Sequence, residues 1–148
     1  MFPKLSDFCT ELTTITQSDV NDAPTFPQAL ANFQEWIGGG GINDTTQDDV
    51  DDRSDYLLCS WGFYDRKQLK LDCELHELDP GWLKKHHISL KHQHAKICNF
   101  QQPIGMAQAL KSLEIPLQGT HHRGIDDARN IAKIFIELSG SWDESKAK

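Results

Sequence analysis

Residues 119–134, GTHHRGIDDARNIAKI, place two histidines and two aspartates within seven positions, at the start of an apolar-periodic segment. Imidazole exchanges protons near neutral pH and carboxylates hold hard divalent cations, so this spacing suits a hydrolysis in which a metal grips the reacting group and a histidine takes a proton. Counting by threes and fours separates the two aspartates. From Asp127 the series runs Ile131, Ile134, Leu138; from Asp126 it runs Asn130, Lys133, Glu137. The period predicts a core-facing Asp127 and a water-facing Asp126. A carboxylate at the top of an apolar stripe requires a partner, and capping the free N–H groups of the first helical turn is one way to find it.

A third aspartate, Asp65, follows DYLLCSWG, in which Tyr56 to Trp61 contribute five apolar residues out of six. Such a run reads as a strand buried on both faces, as in a parallel sheet, and binding sites of α/β sheets collect just beyond the C-terminal strand ends. Asp65 can equally cap the helix predicted over YDRKQLKLDCELHEL. Two inward-directed aspartates and His122 in the preceding loop are the components of divalent-metal hydrolysis. Oxygen ligands suit Mg2+ or Mn2+, and two ions about 3.5–4 Å apart can hold both the attacking and the leaving oxygen of a phosphodiester.

The elements that must position these residues follow the grammar of an α/β fold. Ser6 can cap a short helix carrying Phe8, Cys9 and Leu12, and TITQSDVNDAP reads as a loop. Thr25 can cap a helix whose stripe is Phe26, Ala29, Leu30, Phe33, Trp36 and Ile37, ending at the GGGG of residues 38–41. Beyond the strand and helix around Asp65, a second short strand is predicted at HHISL, then a helix from about Pro103 to Glu114 with Ile104, Ala107, Leu110 and Leu113 on one face. The chain divides into one domain over 1–140, with a flexible acidic loop at about 38–55, and a polar tail at 141–148.

The HHRGIDDARNIAKI and CSWGFYDRKQL segments resemble the third and second motifs of the DEDDh family of 3'-5' exonucleases, and within it the bacterial relatives of the Eri-1 and histone-mRNA exonucleases. The early PKLSDFCTELTTIT and DAPTFPQALANF are also similar to that family, so the resemblance covers about residues 3–138. It implies that Asp65 and Asp127 bind metal, Mg2+ or Mn2+, that His122 is the general base, and that His121 and Asp126 are their neighbours. It implies a ribonuclease-H-like sheet flanked by helices, acting on the 3' ends of RNA or single-stranded DNA.

The family pattern has four carboxylates, the first two as an Asp-x-Glu pair on an opening strand, where alternate residues share a face. The pair present here, Asp72 and Glu74, falls in a predicted helix, where residues two apart diverge. The expectation is therefore a fold lacking its first three strands, with weak metal binding and little or no turnover by this chain alone. A non-catalytic nucleic-acid-binding module is the alternative, using Lys84, Lys85, Lys91 and Lys96 interleaved with His86, His87, His92 and His94. A zinc site at His92 and His94 is disfavoured, because the two share a face only in a strand.

Composition bounds these readings. The 148 residues are 38% hydrophobic and 9% aromatic, as in an ordinary soluble domain. No run of apolar residues is long enough for a membrane span and no secretory signal is visible, which predicts a cytoplasmic address. The net charge of -7 is mostly local: residues 42–55 hold six aspartates against Arg53, leaving 16 acidic and 14 basic groups elsewhere. Cys9, Cys59, Cys73 and Cys98 are widely spaced and read as reduced thiols.

Overall fold

The computed structural model describes residues 4–39, 58–79 and 87–140, with the side chains of 37–39 left aside. In chain order the elements are α1 (Asp7–Thr13), α2 (Gln17–Asn21), α3 (Phe26–Gly39), β1 (Leu58–Ser60), α4 (Tyr64–Leu75), β2 (His87–Ser89), α5 (Leu90–Ile97), α6 (Met106–Ser112) and α7 (Gly124–Gly140). β1 and β2 form a two-stranded parallel sheet with α4 as the crossover. The described residues fall into two compact units, one within Met1–Asp22, Ser60–Phe63 and Ser89–Lys148, the other within Ala23–Cys59 and Tyr64–Ile88.

In the first unit, α7 packs on α5 and α6. Leu90, Ala95, Met106, Ala109, Leu110, Ile134 and Leu138 are buried there. Removing a side chain the size of Leu110 or Ile134 from water contributes about 1.5–3 kcal/mol, so this small set carries much of the unit's cohesion. Two polar residues, His94 and Asn130, are as completely buried as the aliphatic ones. Ser6 caps α1 as expected, its hydroxyl accepting from the Cys9 N–H at 3.1 Å. Phe8 on that helix is nevertheless exposed, at 71%. In the second unit, Leu30 of α3 and Cys73 of α4 are buried, and the Phe26 and His76 rings stack with centroids 5.5 Å apart. The Ala29 and Trp36 positions, assigned to the same stripe as Leu30, are exposed.

Several expectations are corrected. The loop expected over TITQSDVNDAP contains α2, because the Asp19 carboxylate accepts from both the N–H and the hydroxyl of Thr16, each at 2.8 Å, and closes the helix start. Those bonds hold the Asp19 carboxyl below its usual range. The HHISL strand gives way at Leu90 to α5, a helix the sequence reading did not anticipate. α6 begins at Met106 rather than near Pro103, so its buried face is Met106, Ala109 and Leu110, while Ala107 is exposed. Ile104 lies ahead of the helix, where its carbonyl accepts from the Trp61 indole N–H at 3.2 Å. β1 is half-buried and spans only Leu58–Ser60. Its predicted start at Tyr56 and Leu57, the acidic segment after Gly39, Lys84, Lys85 and His86, and the tail at 141–148 lie outside the described residues. The four cysteines are free thiols, as expected.

Candidate active site

The local sequence around α7 explains how its N-terminus is built. Residues 120–123 form a turn in which the Arg123 N–H donates to the Thr120 carbonyl at 3.1 Å, and the Arg123 carbonyl then accepts from the N–H groups of Asp126 and Asp127, both at 2.9 Å. That turn brings the His122 N–H to the Asp127 carboxylate, 3.3 Å from Oδ1 and 3.1 Å from Oδ2. The backbone at His122 is left-handed, with φ at 72°. A side chain in that region costs roughly 1–2 kcal/mol, which the surrounding bonds must offset.

The His121 ring supplies the other contact to Asp127: its Nδ1 lies 3.0 Å from Oδ1. A carboxylate only accepts, so this bond assigns the proton to Nδ1 and leaves the Nε2 lone pair open to a cation or an incoming proton. The two imidazoles stack, with centroids 3.9 Å apart. Donor atoms from His121, His122 and Asp127 lie within 4.8 Å of one another, the one such grouping of three possible metal ligands among the described residues. One carboxylate and two imidazoles can hold a divalent cation whose remaining positions go to water or phosphate. The expected neighbour His121 is thus the residue bonded through its ring to Asp127, while His122 anchors Asp127 through its backbone and keeps its ring exposed.

Asp126 does not face water. Its carboxylate accepts from the Thr120 N–H at 3.0 Å, meets the Arg129 guanidinium at 3.5 Å, and is 14% exposed against 24% for Asp127. A Cβ on Gly119 would stand 2.3 Å from the Asp126 carboxyl carbon, and Gly119 also has φ at 72°, so glycine is required there on both counts. Asn130, one turn further along α7, is fully buried and exchanges two hydrogen bonds with the Gln118 backbone, accepting from its N–H and donating to its carbonyl. The Asp126 and Asn130 face is buried because it grips the loop backbone, a use of polar side chains that hydrophobic periodicity reads as solvent exposure. Asp127, Ile131, Ile134 and Leu138 do follow the predicted inward phase, with Ile131 half-buried and the two others buried.

Asp65 belongs to the second unit, exposed in the first turn of α4. Its charge bears on His87, half-buried on β2. Burial pushes the His87 imidazole below its ordinary value, Arg66 pushes the same way, and Asp65 opposes both. Asp72 and Glu74 behave as a helix surface: Asp72 accepts from Gln68 at 3.2 Å, Glu74 pairs with Lys70 at 3.5 Å, and Cys73 is buried between them. Of the basic series, His92 is exposed but His94 is fully buried, since both lie on α5 and face different ways.

Comparison with known proteins adds the following. The exonuclease family model RNase_T matches residues 1–135. The chain is 31% identical over 144 residues to ERI1 exoribonuclease 2 of Xenopus laevis, covering 92% of this chain and 21% of that protein. It is 32% identical over 138 residues to ERI1 exoribonuclease 3 of Homo sapiens, covering 93% and 39%. Among solved structures it is similar, with a TM-score of 0.74 and 27% identity, to the nuclease domain of 3'hExo, a DEDDh family member, bound to rAMP; the match covers 93% of this chain and 66% of that one. The chain spans about a fifth to two fifths of the length of these curated relatives. The matches bear out the ribonuclease-H-like fold class. No helix among the described residues is long and apolar enough to cross a membrane.

Proposed function

Because the chain belongs to the DEDDh family of 3'-5' exonucleases, we propose that it serves metal-dependent removal of nucleotides from the 3' ends of RNA or single-stranded DNA. Asp127 and Asp65 are the metal-binding carboxylates in this reading and His122 is the general base. The observation that carries it is the held geometry of Asp127, fixed by the His122 N–H and the His121 ring while its charge stays partly open to solvent. A carboxylate so oriented needs no rearrangement to meet a cation, which is the condition for an effective electrostatic site.

A bound Mg2+ or Mn2+ would supply Lewis-acid activation of water and of the phosphodiester. Asp127 offers it a hard oxygen ligand at the N-terminus of α7. His121 fixes the rotamer of Asp127. The exposed His122 ring is free to approach an attacking water and take its proton, the task imidazole performs best near neutral pH.

The test is to incubate the protein with Mn2+ or Mg2+ and a 5'-labelled single-stranded RNA bearing a free 3'-hydroxyl. With Asp65 and Asp127 as the two assigned metal-binding carboxylates, shortening is expected to be slight, to proceed stepwise from the 3' end, and to be abolished by chelator and by Asp127→Asn. Shortening that persists undiminished in Asp127→Asn would overturn the assignment. Retention of RNA without cleavage would favour the reading of a binding module, which Lys91 and Lys96 of α5 support.

A further inference from the structure

The chain carries 22 carboxylates, yet residues 80–113 include none and hold five lysines, Lys84, Lys85, Lys91, Lys96 and Lys111. A stretch of 34 residues with that balance, inside a protein of net charge -7, is a local attraction for polyanions. Helix α5 lies within it, and its exposed side carries an aromatic arrangement that the proposed chemistry leaves unused. Phe63 is 55% exposed, and its ring packs against that of His92, also exposed, with centroids 5.2 Å apart and planes tilted by 34°. His92 is fixed from behind: its Nδ1 lies 2.7 Å from the hydroxyl of the buried Ser89, whose oxygen in turn lies 3.4 Å from the Trp61 carbonyl. Lys96, exposed and four residues beyond His92, shares its side of the helix.

A second planar ring braced beside an exposed one forms a platform, not a loose side chain. Nucleobases stack on such platforms whatever their identity, and phosphates flanking them pair with nearby cations. Two further phenylalanine–histidine pairs make the contrast, and in one of them, Phe100 and His94, the histidine is fully buried. Phe26 and His76 meet where the chain reads ELHELD, among Glu74, Glu77 and Asp79, whose charge repels phosphate. Among the described residues, only the Phe63 and His92 pair joins two exposed rings to a carboxylate-free basic helix.

We propose that Phe63 and His92 form a stacking subsite for one unpaired base of a single-stranded nucleic acid, with Lys96 taking a neighbouring phosphate. The proposal rests on the nucleic-acid reading above and deepens it, assigning residues that hold the strand without touching the scissile bond.

The experiment is equilibrium binding by fluorescence anisotropy in chelator, so that no cleavage occurs, using a labelled single-stranded oligonucleotide and an abasic strand of the same length. Base-aromatic stacking is worth about 1–3 kcal/mol, so Phe63→Leu is expected to weaken binding of the base-bearing strand about 5- to 150-fold and to leave binding of the abasic strand unchanged. Phe63→Trp restores affinity. Lys96→Gln weakens both strands alike and lowers the salt dependence by about one ion. Thermal unfolding of each variant checks that the fold is kept.

Equal affinity of Phe63→Leu and the parent for the base-bearing strand overturns the proposal. So does equal affinity of the parent for the two strands, or no binding of either. Phe63-dependent binding with no shortening of RNA sinks the catalytic reading and leaves the subsite standing. Shortening lost in Asp127→Asn, with Phe63→Leu binding like the parent, does the reverse.

Discussion

Asn130 and Gln118 hold each other reciprocally: the Gln118 N–H donates to Asn130 Oδ1 at 2.9 Å, and Asn130 Nδ2 donates back to the Gln118 carbonyl at 2.9 Å. The same Nδ2 reaches the Asp126 carbonyl at 2.8 Å. One fully buried amide thereby fastens the loop that carries both histidines to the helix that carries both aspartates. Replacing it with leucine keeps the volume but removes both bonds to the exposed Gln118, a net loss of about 0.5–1.5 kcal/mol each. Asn130→Leu should therefore lower stability by roughly 1–3 kcal/mol, read as a shift in the urea unfolding midpoint. A midpoint unchanged from the parent would show that the loop is held some other way.

Gly119 and Asp126 make a second joint in that loop. Alanine at 119 must adopt φ of 72° and push its Cβ to within 2.3 Å of the Asp126 carboxyl carbon. Gly119→Ala should destabilise by roughly 2–4 kcal/mol, the sum of about 1–2 for the left-handed backbone and a similar clash term. Combining it with Asp126→Ala removes the clash but not the backbone strain. A double-mutant cycle is expected to return a coupling of at least about 1 kcal/mol in the favourable direction. Simple additivity of the two changes would mean that the carboxylate swings aside freely.

How much of this was legible in the sequence depends on what each residue's signal was. Asp127 was placed inward because three aliphatic residues repeat behind it at helical spacing, and α7 obeys that phase. Asp126 was misplaced by the same arithmetic, since Asn130 and Lys133 look like a wet face. Nothing in a polar residue's identity says that its partners are loop backbone. α5 was missed because KHQHAKI has only scattered apolar positions, and its inward residue His94 is a type that pattern reading assigns to the surface. The stretch's histidines could be weighed as ligands or as solvated groups, whereas His94 is a core side chain stacked on Phe100 at 5.2 Å. Asp65 was correctly put just past a strand and at a helix start, because strand and helix signals flank it on both sides.

His94 also sets a pH dependence. Its Nε2 lies 3.1 Å from the Ser112 hydroxyl, which itself donates to the Ala109 carbonyl at 2.8 Å, so Nε2 carries the proton and Nδ1 is buried without a partner. Burial between Trp61 and Phe100 pushes the imidazole below its ordinary value near 6.5. The unfolded chain therefore binds a proton more readily than the folded one. Stability is unaffected by His94 well above pH 6.5 and falls as pH drops through that value, by up to about 1.4 kcal/mol per pH unit until the folded-state value is reached. His87, lowered for the same reason, adds to the slope. His94→Phe should flatten the His94 share of the slope between pH 6.5 and 5 in urea titrations. An unchanged slope in that variant would assign the dependence to other groups.

The two adjacent histidines should separate in a paired measurement of metal binding and turnover, because each meets Asp127 differently. His121 donates from its ring to Oδ1, so His121→Ala frees the carboxylate to rotate and removes one possible nitrogen ligand. His122 contributes its backbone N–H, which any residue retains, and an exposed ring that His122→Ala deletes. Mn2+ affinity, followed by the loss of free-ion paramagnetic signal, is therefore expected to fall in His121→Ala, which loses a candidate ligand and the bond that orients Asp127, and to fall less in His122→Ala, which loses a candidate ligand but keeps the backbone bond to Asp127. Turnover on single-stranded RNA should show the opposite ranking, with His122→Ala losing about 100-fold or more, the usual contribution of a positioned general base. Asparagine at 122 tolerates the left-handed backbone better than alanine, so His122→Asn serves as the control for strain. If it recovers turnover, His122 acts through the turn it shapes; if it stays as slow as His122→Ala while folding normally, the ring itself handles the proton.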